Sequence, residues 1–85
     1  MRYIVDVFYA LWDLETGNLV QEFSTELDAL AAIRAAIVRY GRRYAETFAV
    51  LREDRYGRSR LIAEGAGLVD LALRTERNPP SSRAS

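Results

Sequence analysis

Apolar residues in the stretch 2–13 (RYIVDVFYALWD) fall on both faces of an alternating pattern. Tyr3, Val5, Val7, Tyr9 and Leu11 line one face; Ile4, Phe8, Ala10 and Trp12 line the other, interrupted by Asp6. β-branched and aromatic residues at period two predict a strand, and two apolar faces predict one covered on both sides. Asp13–Asn18 then reads as a turn, with Gly17 and Asn18 able to take positive φ. A second strand is predicted over 19–23, with Leu19, Gln21 and Phe23 on one face and Val20 and Glu22 on the other.

The period changes after Phe23. Ser24 and Thr25 are candidate N-caps, and Glu26 and Asp28 place carboxylates in a first turn, where the helix dipole favours them. Leu27, Leu30, Ile33, Ile37 and Tyr40 form a stripe at helical spacing, so a helix is predicted to about Tyr40, with Gly41 ending it. Period two returns over 44–53, with Phe48 and Val50 opposed to Ala49 and Leu51. Asp54–Ser59 is a loop with Gly57 at its special position. Residues 60–64 are a fourth strand, with Leu61 and Ala63 opposed to Ile62. Gly65 and Gly67 bracket a break, and 68–74 (LVDLALR) is a short helix. Residues 75–85, with Pro79-Pro80 and no large apolar side chain, read as a mobile tail.

The elements predict an α+β fold: a four-stranded antiparallel sheet in the order β-β-α-β-β, one main helix on one face and a short C-terminal helix. A single domain spans 1–74. One main helix covers one face of the sheet, yet the first strand is apolar on both. Tyr3, Val5, Val7, Tyr9 and Leu11 are therefore expected to form a homodimer interface. The competing expectation is a monomer whose terminal helix covers that face with Leu68, Leu71 and Leu73.

Composition sharpens this. The chain has 85 residues, with 12 basic and 12 acidic side chains and no net charge; it contains no Cys and no His, and every basic residue is an Arg. Disulfides, thiolate or imidazole metal sites, Cys or His nucleophiles and Lys Schiff bases are excluded. No catalytic residue, cofactor or metal is expected, and the chain reads as a non-catalytic interaction or regulatory module. A small domain without staples draws its stability from packing or from a partner. Asp6 breaks the apolar start too early for a signal peptide or membrane span, so no membrane association and a cytoplasmic location are expected.

Carboxylates are the remaining acid–base candidates. Asp6 stands out because it interrupts an apolar face; it reads either as a perturbed functional acid or as the partner of an Arg. A second candidate is basic. Arg52, Arg55, Arg58 and Arg60 surround Tyr56 on the second hairpin, a set that can hold phosphates and stack on a base. Its bland reading is a solvated hairpin. Glu64-Gly65-Ala66-Gly67 lacks the full dinucleotide fingerprint and reads as a strand-to-helix break. Trp12 and the tyrosines Tyr3, Tyr9, Tyr40, Tyr44 and Tyr56 divide between core and interface.

The run Trp12…Thr16-Gly17-Asn18…Phe23-Ser24-Thr25…Ala29-Leu30…Gly41 resembles small uncharacterised bacterial β-β-α-β-β domains over roughly residues 3–65. Those domains share a hairpin, a Thr-capped helix start with an Ala-Leu pair, a Gly and a second hairpin. More distantly it is similar to HicB-like antitoxins. That likeness implies binding of a toxin partner and of DNA, although here a second hairpin stands where a DNA-binding helix pair would.

Overall fold

The computed structural model describes residues 6–77. Strands β1 (Val7–Asp13) and β2 (Asn18–Phe23) form a hairpin, helix α1 (Glu26–Tyr40) and the short helix α2 (Arg42–Ala45) follow, strands β3 (Phe48–Asp54) and β4 (Ser59–Glu64) form a second hairpin, and helix α3 (Gly65–Arg77) ends the described chain. The four strands make one antiparallel sheet in the order β2-β1-β3-β4. The two hairpins thus join through their first strands, and β2 and β4 are the edges.

The local reasons match the residues. Thr25 sits in extended backbone and its hydroxyl accepts from the Asp28 amide at 3.0 Å, capping α1. Gly41 ends α1 at φ 99°, and its N–H donates to the Ile37 carbonyl at 2.8 Å. That left-handed conformation is costly for any residue with a Cβ. The chain then folds into α2 where the sequence pattern predicts the start of a strand, so β3 begins at Phe48 rather than Tyr44. At the other end α3 extends through Thr75, Glu76 and Arg77, which the sequence reading places in a tail; residues 78–85 lie outside the described part. Thr75 prolongs the helix without a break, its hydroxyl donating to the Leu71 carbonyl at 2.7 Å.

Both long helices pack on one face of the sheet. Ala29, Leu30 and Ile33 of α1, Leu68, Val69 and Ala72 of α3, and Leu11, Phe48 and Val50 of the central strands share one buried cluster. Tyr9 and Phe23 pack against its margin. The Arg34 guanidinium ties the helices by donating to the Ala72 carbonyl at 3.1 Å. The expectation that α3 covers the second face is corrected: α3 completes the first layer beside α1.

Each edge strand carries a bulge. Leu11 pairs with Gln21 and Trp12 with Leu19, leaving Val20 extra; Val50 pairs with Ala63 and Leu51 with Leu61, leaving Ile62 extra. An extra residue shifts the parity of everything beyond it. Leu19 therefore lies on the face opposite Gln21 and Phe23, and Leu61 on the face opposite Ala63, against simple alternation.

Candidate functional site

Two surfaces stand out, one on each side of the sheet. On the side that no described helix covers lie Phe8, Ala10 and Trp12 of β1, Ala49 and Leu51 of β3, Leu19 of β2 and Leu61 of β4, as the register dictates. Ala10 and Ala49 are each 1% exposed yet belong to no part of the core cluster; they are sunk between the larger side chains of this second face. Leu19 and Leu61 are 43% and 48% exposed. The Trp12 indole N–H is buried with no acceptor among the described residues. The same register puts Glu22, Glu53 and Glu64 on this side, around the apolar centre.

Of the interface residues expected from the sequence, Val7, Tyr9 and Leu11 belong to the opposite face. Leu11 is 6% exposed and sits in the core beneath the helices, with Tyr9 packed beside it and Val7 on the same side. Tyr3 and Val5 lie outside the described residues. The cause lies in the topology. Both faces of β1 are apolar, and the side on which the helices lie is set by the crossover from β2 to the parallel strand β3, not by alternation within β1. The signal for the open face was present in Phe8, Trp12 and Leu51; parity alone could not rank it.

The second surface is the β3–β4 hairpin. Asp54 organises its tip. Its amide donates to the Arg58 carbonyl at 3.0 Å, and the Gly57 amide donates to the Asp54 carbonyl at 3.2 Å. Its carboxylate accepts from the Tyr56 and Arg58 amides at 2.9 and 3.0 Å. Gly57 supplies the left-handed residue at φ 83°, the signature of a turn closed by a bulge. Desolvation, the largest single influence, pushes the Asp54 pKa up, but the Arg58 and Tyr56 amides and the Arg58 and Arg52 charges together outweigh it, and the carboxyl sits below its usual range.

Arg52 and Arg60 are direct cross-strand partners and so share the helix-bearing side of the sheet. Neither they nor Arg58 form an ion pair with a described residue. Arg55 is drawn away: its guanidinium meets the Asp6 carboxylate at 2.8 Å and its amide donates to the Asp6 carbonyl at 2.9 Å. This gives Asp6 the Arg-paired position, exposed at the start of β1. Tyr56 projects from the tip at 75% exposure, with the Arg55 guanidinium 5.7 Å from its ring centre. The hairpin thus brings together Arg52, Arg58 and Arg60, with Tyr56 at the tip, and spends Arg55 on Asp6.

Other features are local. Gly65 opens α3 at φ 61° directly after β4, so the helix starts three residues before the predicted Leu68 and takes in Gly67, with no separate break between them. A small cleft of about 380 Å³ lies between α2 and α3, lined by Arg42, Asp70, Leu73 and Arg74, with Arg42 and Asp70 paired at 3.5 Å. Tyr40, Tyr44 and Phe48 form a tilted aromatic row with ring centres 4.8 and 5.2 Å apart, pinning α2 to β3. Among the described residues no helix is long and apolar enough to cross a membrane, and no group of three or more acidic side chains gathers as a metal site. No family model, curated protein or solved structure matches the chain.

Proposed function

We infer that this chain is a non-catalytic interaction domain that pairs with a second copy of itself through the open face of its sheet. The observation that carries this reading is the apolar face of Phe8, Trp12, Leu19, Leu51 and Leu61, which no described helix covers. A contiguous apolar patch of this kind marks an interface. At strand and residue spacings of about 4.8 and 3.4 Å the face measures roughly 20 Å by 20 Å. Two copies face to face would remove on the order of 1,000 Å² from water, at the lower bound for a specific pair. The expected association is therefore weak and concentration-dependent. Glu22 and Glu64, on the edge strands, fall at the rim of such a pair, where their charges stay hydrated. The non-catalytic part of the reading rests on the missing Cys, His and Lys and on the engagement of Asp6 by Arg55.

Sedimentation equilibrium over micromolar to millimolar protein tests it. The mass should rise from 9.7 kDa towards twice that value. Leu61→Arg, a change at an exposed position, should hold the chain monomeric while leaving the unfolding transition in place. A wild-type chain that stays monomeric throughout, or a Leu61→Arg chain that associates equally well, overturns the reading.

A further inference from the structure

We propose that the helix-bearing side of the β3–β4 hairpin is a binding site for single-stranded nucleic acid, with Arg52 and Arg60 sharing a phosphate, Arg58 meeting a neighbouring one and Tyr56 stacking on a base.

The first support is an unfavourable pairing. Register makes Arg52 and Arg60 direct cross-strand neighbours on one face, and like charges in that position repel. No described carboxylate lies within ion-pair distance of either side chain or of Arg58. Asp54, the nearest organising acid, spends its carboxylate on the Tyr56 and Arg58 amides. Two arginines paired across neighbouring strands on one face are close enough for both to reach a single phosphate, and a guanidinium fork suits its oxygens.

The second support is the division of charge between the two sides of the sheet. Glu22, Glu53 and Glu64 lie on the open side, whereas Arg52 and Arg60 lie on the other, which they share with the amide-bonded Asp54. A zero net charge thus conceals a local excess of positive charge on the helix-bearing side of this hairpin, which favours a polyanion there over the open side. The third support is the tip. Tyr56 is 75% exposed and needs no rearrangement to offer its ring to a base, and its Arg55 neighbour adds a cation beside that ring. The patch is an open strand surface, and the cleft between α2 and α3 lies elsewhere, against Arg42 and Arg74. An open surface suits a polymer, which gathers affinity from several contacts, better than a small phosphate ester, which needs enclosure. The site shares no residue with the proposed self-association face, so failure of one leaves the other standing.

The test is fluorescence anisotropy of a labelled thymidine oligonucleotide of about ten residues. With two to three phosphates neutralised, log affinity should fall against log salt with a slope of about −2 between about 50 and 200 mM. Arg52→Gln with Arg60→Gln should weaken binding about tenfold or more and leave the unfolding transition unchanged or raised, because the repulsion is gone. Tyr56→Ala should weaken it by about tenfold through lost stacking. Arg58→Gln, at the exposed tip, gives a variant that cannot disturb the core and should also lose several-fold. Inorganic phosphate at matched ionic strength should displace little. No anisotropy change up to about 100 μM protein at the lower salt overturns the proposal. So does a folded Arg52→Gln, Arg60→Gln chain that binds as the wild type does, and so does displacement by phosphate alone.

Discussion

Ile33 has no exposed surface and lies where α1 meets both the sheet and α3. Truncating such a side chain costs the transfer energy of the lost atoms and leaves a cavity that collapses only in part. Ile33→Ala should therefore cost about 3 kcal/mol, a large share of the roughly 4–13 kcal/mol available to a domain of this size. Urea unfolding monitored by circular dichroism measures it. Asp54 makes the opposite kind of contribution, polar and at the surface. Desolvation raises its carboxyl pKa, but the two amides and two arginines around it together lower it further, so the net shift in the folded chain is downward. A lowered pKa means that the charged form supports folding above the unfolded value and that this support is lost as pH falls through the folded value. The urea midpoint should fall between about pH 5 and pH 3, and Asp54→Asn should flatten that fall. The Asp6 pairing shows what is legible at this scale. The residue type announced that a carboxylate so placed needs a cation or water; the identity of the cation, Arg55, lies 49 positions away and emerges only when β1 and β3 pair.

Elements were legible where local chemistry sets them. The Thr25 cap, the Gly41 stop, and the Gly17 and Gly57 turns all occur where short-range rules place them. Thr25→Ala removes the hydroxyl that satisfies the Asp28 amide and should cost about 1 kcal/mol; Thr25→Ser should restore most of it, as read from thermal unfolding. The misses also have local causes. Tyr44 and Ala45 look like strand residues, but Gly41 redirects the chain and Tyr44 stacks between Tyr40 and Phe48, which closes α2. The bulges at Val20 and Ile62 carry no sequence mark as strong as a glycine. They reverse the side on which Leu19 and Leu61 lie, and an unbroken period-two reading misassigns both. Bulges on both edge strands also disrupt a flat ladder edge, which discourages uncontrolled strand addition.

At the scale of the molecule, one helix layer on one sheet leaves an apolar face on one side and a basic hairpin on the other. The two proposed activities should respond to salt in opposite ways. Self-association brings the carboxylates Glu22, Glu53 and Glu64 of two copies towards one another, so screening should strengthen it. Nucleic-acid binding releases counterions, so salt should weaken it. Sedimentation and anisotropy run on one preparation across one salt series read both trends; parallel trends would mean that one surface serves both.

The sequence by itself determined the four strands, the two longer helices, their order and the four-stranded antiparallel sheet, though not α2, because caps, turns and periodicity act over a few residues. It also determined which chemistries are out of reach, since no fold supplies a missing side chain. It foresaw an apolar sheet face in excess of what one helix can cover. Only the tertiary structure decided which face that is. The two sides of β1 are nearly equal in apolar content, so the choice falls to the crossover and to α3, which packs beside α1 instead of beneath the sheet. The pairing of Arg52 with Arg60, the capture of Arg55 by Asp6 and the parity of both edge strands were decided there too, by register between residues distant in the chain.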